Sequence, residues 1–220
     1  MLTWPTWILA ATTAAAAGTD WIAVACGRRR LEWWAKLLTM VALVATVLSA
    51  GALGTAPGAW LVVALCLGLL GDLALLGDTE GRFLAGVAAF LVGHLAYLVA
   101  FDALGLDAAG WWWLVVPVLL VVTVATRHVV PSALRVAGAR LAVPLAAYTL
   151  VIAAMTVVAF RTGEPVVALG ATLFTVSDAL IALDLARHDF RRERGVDGVA
   201  IMATYHLSQG LLAYGVLSSL

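Results

Sequence analysis

Two aspartates stand inside strongly apolar runs: Asp72 in L-L-G-D-L-A-L-L and Asp178 in L-F-T-V-S-D-A-L-I-A-L. A carboxylate at the centre of a membrane helix costs about 2.5–3.5 kcal/mol on insertion scales, so such residues mark function far more often than accident. His94 in A-F-L-V-G-H-L-A-Y and the group Tyr205, His206, Gln209 in T-Y-H-L-S-Q add hydrogen-bonding side chains to equally apolar surroundings. Carboxyl, imidazole and phenol groups together can donate and remove protons in a dry site. General acid–base chemistry inside a membrane is therefore the first expectation.

The elements that must carry these residues follow from composition. The chain of 220 residues is 64% hydrophobic and 12% charged, against roughly 45–50% apolar in soluble domains. Spans of about 20 residues read at roughly 3–26, 33–53, 59–77, 83–104, 110–126, 140–160, 165–186 and 198–219. The expectation is an all-α, polytopic membrane protein: one domain over 1–220, a bundle of eight transmembrane helices. The connections are short, which predicts that sequence neighbours pack as antiparallel hairpins. G-T-A-P-G and R-T-G-E-P close spans 2 and 6, and Trp111, Trp112 and Trp113 read as an interfacial belt. No internal repeat is evident.

Orientation follows from basic residues. Twelve of the 13 Lys and Arg residues fall at connections 1–2, 3–4, 5–6 and 7–8, with Arg161 alone on the other side. That predicts a cytoplasmic basic face and both termini outside, in a multi-pass protein of the cell membrane. The first span lacks a basic leader and is followed by Arg28, Arg29 and Arg30, so it reads as a span and not a signal peptide. A net charge of zero argues against a nucleic-acid partner. Cys26 and Cys66 lie within spans and imply no disulfide framework.

Depth places the polar groups together. At 1.5 Å per residue, Asp72 lies roughly 8 Å and Asp178 roughly 12 Å from the cytoplasmic ends of their spans. Tyr205 and His206 lie about 10–13 Å in, and His94 about 16–18 Å. Lys36 enters from the same face, just inside span 2. Phe90, His94, Tyr97 and Phe101 form one stripe of span 4, and Met202, Tyr205, His206 and Gln209 one stripe of span 8. Gly68 and Gly71 thin span 3 beside Asp72 and permit close helix approach. One shared cavity with apolar walls and few polar anchors is expected. Asp20, Asp102 and Asp184 lie within reach of span ends and read as interfacial. Tyr97, Tyr148 and Tyr205 each admit a plain packing role, and Ser177 a bond to its own helix.

Several stretches resemble the YhhN family of membrane proteins, which includes the mammalian lysoplasmalogenases. They are L-L-G-D-L-A-L-L at 69–76, A-F-L-V-G-H-L-A-Y-L-V-A-F at 89–101, Y-T-L-V-I-A-A-M at 148–155, G-A-T-L-F-T-V-S-D-A-L-I-A-L at 170–183 and T-Y-H-L-S-Q at 204–209. The chain departs from the family's pattern at Lys36-Leu37, where Lys-Pro is usual, at Asp184 in place of Asn, and at His206 in place of a second Tyr.

The resemblance implies hydrolysis of the vinyl ether of a lysophospholipid, releasing a fatty aldehyde and a glycerophospho-ethanolamine or -choline, with no cofactor and no metal. Membrane lipids are the other expected partners. Protonation of the β-carbon gives an oxocarbenium ion, to which water adds, and the hemiacetal collapses to aldehyde. Asp72 and Asp178 are the catalytic pair it implies; burial and mutual repulsion would keep one of them in the acid form. Lys36, His94, Tyr97, Tyr148, Phe174, Ser177, Tyr205, His206 and Gln209 are the implied substrate-binding residues. Lys36 and the arginines would meet the phosphate, His94, Tyr205 and Gln209 a water or glycerol hydroxyl, and Phe90, Phe101 and Phe174 the chain. Two alternatives stand beside this reading. One is a metal-dependent lipid hydrolase with His94, His206, Asp72 and Asp178 as ligands. The other is a proton-coupled transporter that uses the carboxylates as relays.

Overall fold

A computed structural model describes residues 3–77, 79–107, 112–187 and 197–220. Its elements are α1 (Trp4–Ala25), α2 (Arg29–Ser49), α3 (Ala56–Leu75), α4 (Glu80–Leu104), α5 (Val115–Ala137), α6 (Ala139–Arg161), α7 (Pro165–Arg187) and α8 (Asp197–Ser218). Two single 3₁₀ turns precede α3 and α5, and the described residues contain no strand. With no water to satisfy backbone groups in hydrocarbon, helices are the structure such apolar runs must take. Seven of them, α1 to α7, are long and apolar enough to cross a membrane. The eighth carries Tyr205, His206, Ser208 and Gln209, all buried, which lowers its apolarity. It packs against α7, α1, α3, α2 and α4, so its polar stripe faces protein.

Sequence neighbours pack for α1 with α2, α2 with α3, α3 with α4, α5 with α6, α6 with α7 and α7 with α8. The pattern fails for α4 and α5. The α6 helix packs against both α4 and α5, and α5 reaches on to α7. The chain leaves α4 at Gly105, whose φ of +98° suits glycine, and the Asp107 N–H donates to the Arg161 carbonyl at the end of α6 at 2.6 Å. Asp107, three residues past the end of α4, is thus fastened to the end of α6.

A second correction concerns α5. The span read from the sequence runs over 110–126. The helix continues through Arg127, His128 and Pro131 to Ala137 and turns into α6 at Gly138 with φ +63°. Arg127 and His128 lie on its exposed side. Proline at 131 removes one N–H from a helix already 23 residues long, and the turns on either side continue. Arg127 and Arg135 therefore sit on α5 itself. Of the tryptophan belt, Trp113 is exposed; Trp111 and the Trp112 side chain lie outside the described residues.

The largest core cluster includes Met40, Leu61, Tyr97, Phe174 and Leu212, drawn from α2, α3, α4, α7 and α8. Glycines let the helix backbones close on it. A Cβ at Gly170 would lie 3.0 Å from the Leu212 backbone nitrogen, and one at Gly215 3.0 Å from that of Val167, so α7 and α8 approach closely along their length. On α3, a Cβ at Gly71 would lie 2.6 Å from the Phe90 ring. Gly71→Ala should therefore tilt Phe90 without unfolding the bundle. Overpacking of this size costs about 1–3 kcal/mol, and the expected result is a lowered melting temperature. An unchanged melting temperature would show that Phe90 has room to move.

Candidate functional site

Asp72 sits near the C-terminal end of α3, where Gly68 and Gly71 bring neighbouring helices close. Lys36 of α2 places its Nζ 2.8 Å from Asp72 Oδ1, and the Tyr205 hydroxyl of α8 donates to Oδ2 at 2.7 Å. Three helices are thus joined through one carboxylate. Both side chains of the ion pair are buried, at 8% and 1% exposure. Lys36 and Asp72 are placed as each other's ion-pair partner in a site closed to water. Lys36 is not a free cation for phosphate.

Asp178 lies across the bundle on α7. The Tyr148 hydroxyl of α6 donates to its Oδ2 at 2.5 Å, and His94 Nε2 of α4 stands 3.8 Å from the same oxygen. Among the described residues no Lys or Arg reaches it. Its side chain is 15% exposed, against 1% for Asp72, and that exposure gives onto a cavity. The cavity has about 120 Å³ of space and is lined by Lys36, Asp72, Tyr148, Thr175, Asp178 and Tyr205 among others. Its remaining walls are largely aliphatic, including Val122 and Val129 of α5, Leu145 and Ile152 of α6, and Ile181 and Leu185 of α7. These run toward the C-terminal ends of α5 and α7, which carry Arg135 and Arg187.

The implied binding residues separate into three groups. Lys36, Tyr148 and Tyr205 line the cavity with both aspartates. His94, Tyr97, Phe174 and Gln209 line a smaller void beside it, with Phe90 as the shared wall. There the Tyr97 hydroxyl donates to Gln209 Oε1 at 2.5 Å. Ser177 and His206 face neither space. The Ser177 hydroxyl donates to the Ile201 carbonyl at 3.1 Å and ties α7 to α8. His206 accepts from the Trp21 indole N–H at 3.2 Å. Of the three phenylalanines set out for the chain, only Phe90 reaches the cavity; Phe101 stacks on Tyr97, and Phe174 packs edge-on to His94, Tyr97 and Tyr205. The aliphatic side chains of α5, α6 and α7 form the apolar wall instead.

Sequence reasoning misplaced Asp20. Read as interfacial, it is 0% exposed, on the inner side of α1. Its Oδ2 lies 3.9 Å from His206 Nδ1, and Lys36 and Asp72 are within electrostatic range. The signal was available: Asp20 stands five residues before the end of α1, roughly 8 Å in, a depth like that expected for Asp72. Asp102 is exposed and Asp184 half-buried. Two further residues shape the site from outside it. Arg82 donates to the Leu73 and Ala74 carbonyls at 2.7 and 3.1 Å, satisfying orphan groups at the C-terminus of the helix that carries Asp72. Thr79 caps α4 by accepting from the Arg82 N–H at 3.3 Å.

The four residues of the metal alternative are dispersed: Asp72 with Lys36, Asp178 with His94, and His206 with Asp20 and Trp21. Among the described residues no three His, Cys, Asp or Glu side chains gather in a way that could hold a metal ion.

Comparison with known proteins gives one result. The model of the YhhN family matches residues 31–216, which spans α2 to α8 and leaves α1, with Asp20 and Trp21, outside the match. No curated protein and no solved structure matches the chain.

Proposed function

The chain belongs to the YhhN family, and from that premise we propose that it is an intramembrane hydrolase of lysoplasmalogen-type lipids, cleaving the vinyl ether to a fatty aldehyde and a glycerophospho-alcohol. The observation that carries this reading is the electrical inequality of two carboxyl groups on one apolar cavity. Asp72 is neutralised by Lys36 at 2.8 Å. Asp178 is met by a phenol and an imidazole.

Such an arrangement divides the chemistry. A vinyl ether is unreactive toward nucleophiles until its β-carbon is protonated, so the reaction needs an acid first. Asp178, in its protonated form, gives its proton to that carbon and leaves as the carboxylate beside the oxocarbenium ion. Water attacks the cation, and the Asp72 carboxylate takes the released proton, giving the hemiacetal. Collapse then runs the pair in reverse: Asp72 protonates the departing glycerol oxygen while Asp178 removes the hemiacetal hydroxyl proton. Both carboxyl groups return to their starting states, and the net change is addition of one water. Tyr205 and Tyr148 hold the two carboxyl groups by their Oδ2 atoms. The aliphatic wall from α5, α6 and α7 takes the single chain, and the arginines at the same end of the bundle suit the anionic headgroup.

Eight crossings with the basic side in the cytoplasm complete the proposal. The α8 helix is enclosed by five others, which removes the cost of its polar stripe. Cys26 is exposed at the end of α1 on the basic side, and Leu53 is exposed on the opposite side. In a chain lacking Cys66, an impermeant maleimide applied to intact cells should label Leu53→Cys and spare Cys26; the reverse pattern would invert the topology. The function itself is tested by aldehyde release from a panel of lysolipids. Turnover of 1-alkenyl lysolipids but not of 1-acyl ones is expected, and the opposite selectivity would replace this reaction with ester hydrolysis.

A further inference from the structure

We propose that His94 and Asp178 share a single proton, resting on the Asp178 side, so that the acid of this site is a coupled pair with His94 as its positioning residue. The proposal builds on the hydrolase reading above but concerns protonation at rest, which can be read without substrate.

The imidazole is fixed from both sides. His94 Nδ1 lies 2.7 Å from the Phe90 carbonyl one helical turn earlier. A carbonyl oxygen only accepts, so Nδ1 carries a hydrogen. The ring is held edge-on between Phe174 at 4.6 Å and Tyr148 at 5.2 Å. Nε2 is buried without a hydrogen-bond partner and has Asp178 Oδ2 at 3.8 Å. An orphaned buried nitrogen is costly in a site this dry, and the Asp178 carboxyl group faces it.

Four protonation combinations exist. With no proton, a lone pair and a carboxylate face each other across apolar space. With two, an imidazolium is buried against a neutral acid. Both leave an unsatisfied charge or dipole in low dielectric. The remaining two hold one proton between the groups. The other polar groups facing this pair bear on which of them is favoured. Tyr148 of α6 donates to Asp178; Tyr97 of α4 and Gln209 of α8 bond each other; Lys36 of α2 is engaged by Asp72 of α3, with Tyr205 of α8 on the far oxygen. Separating charge onto an imidazolium and a carboxylate 3.8 Å apart in this dry space costs the desolvation of both ions, which a neutral acid beside a neutral imidazole avoids, so the neutral pair is the resting form. The two atoms need to close by about 1 Å to reach hydrogen-bond length, a small side-chain movement that the resting protein makes if the proton is shared.

Gln and Asn separate the two nitrogens of His94. Glutamine can set an acceptor near the Nε2 position, whereas asparagine reaches only the Nδ1 position. Infrared difference spectra of the purified protein should show a protonated carboxyl C=O band that Asp178→Asn removes. His94→Gln should keep that band in place, and His94→Asn should shift it to higher frequency. The Asn variant should also lose about 10²-fold in kcat with KM little changed. In wild-type protein, ¹⁵N spectra of labelled histidine should show His94 protonated at Nδ1 and bare at Nε2, which needs no variant to fold. A missing carboxyl band, a band that His94→Asn leaves unmoved, or a proton found on Nε2 would each overturn the shared proton. Failure of lysoplasmalogen turnover alone would overturn the substrate and leave the pair intact.

Discussion

Asp178→Asn should reduce turnover by about 10²–10⁴-fold, the range that general acid catalysis supplies, while the protein still inserts and purifies as a folded species. The amide keeps the shape of the carboxyl group and can still accept from Tyr148, whose hydroxyl lies 2.5 Å from Oδ2. What it loses is the transferable proton. Asp72→Asn should also abolish most turnover, but by a different route: it removes the base and leaves Lys36 as a buried cation without its carboxylate at 2.8 Å. The two variants are therefore distinguishable by stability. Asp178→Asn should melt close to wild type, and Asp72→Asn well below it. Wild-type activity in either variant removes that residue from the mechanism.

Lys36→Met is the second variant with a large expected effect. Breaking a buried ion pair by deleting one partner costs about 3–5 kcal/mol, because the remaining charge is left uncompensated. Asp20 is a further buried carboxylate within electrostatic range of the same ammonium, so the deletion leaves two acidic groups without their cation. Lys36→Met with Asp72→Asn should recover much of the lost stability, and the interaction energy of that double-mutant cycle reports the pair directly. Activity should not return in the double variant, since the base is gone. If Lys36→Met instead left the melting temperature unchanged and raised only KM, Lys36 would be a headgroup ligand and the ion pair would be incidental.

The contrast between these aspartates shows where reading a sequence succeeds and where it stops. Asp72, Asp178 and His94 stand out because each interrupts an apolar run, and that signal depends on nothing outside the run. Their partners are a different matter. Lys36 was taken for a headgroup ligand because span 2 was started at 33, which left it only three residues inside. The helix begins at Arg29, so Lys36 lies roughly 10 Å along it, deep enough to meet Asp72. Asp20 reads as interfacial from its nearness to the end of span 1, a boundary that agrees with a helix ending at Ala25; it is buried because that face of α1 meets His206 of α8. For Lys36 a shift of one turn in the helix boundary decides between a solvated charge and a buried one.

Neighbour relations were less legible still. Hairpin packing is a sound expectation for short connections, and six of the seven consecutive pairs follow it. The α4–α5 connection does not, and its consequence reaches the site, because α6 between them brings Tyr148 to Asp178. No spacing within either stretch encodes that bond. The family resemblance supplied motifs in α3, α4, α6, α7 and α8, and the model of that family matches the same region. It did not supply α1, whose Trp21 meets His206, the position at which this chain departs from the family's tyrosine.

The central claim is that a carboxylic acid protonates carbon, and the most direct test is hydrolysis of a lysoplasmalogen in heavy water with mass analysis of the released aldehyde. The mechanism predicts one deuterium on the carbon next to the aldehyde and a slower rate, because transfer to carbon forms the oxocarbenium ion. Controls with unlabelled aldehyde incubated under the same conditions set the level of exchange by enolisation. Aldehyde released without deuterium at that carbon would contradict the account, since the ether would then be cleaved without passing through the cation.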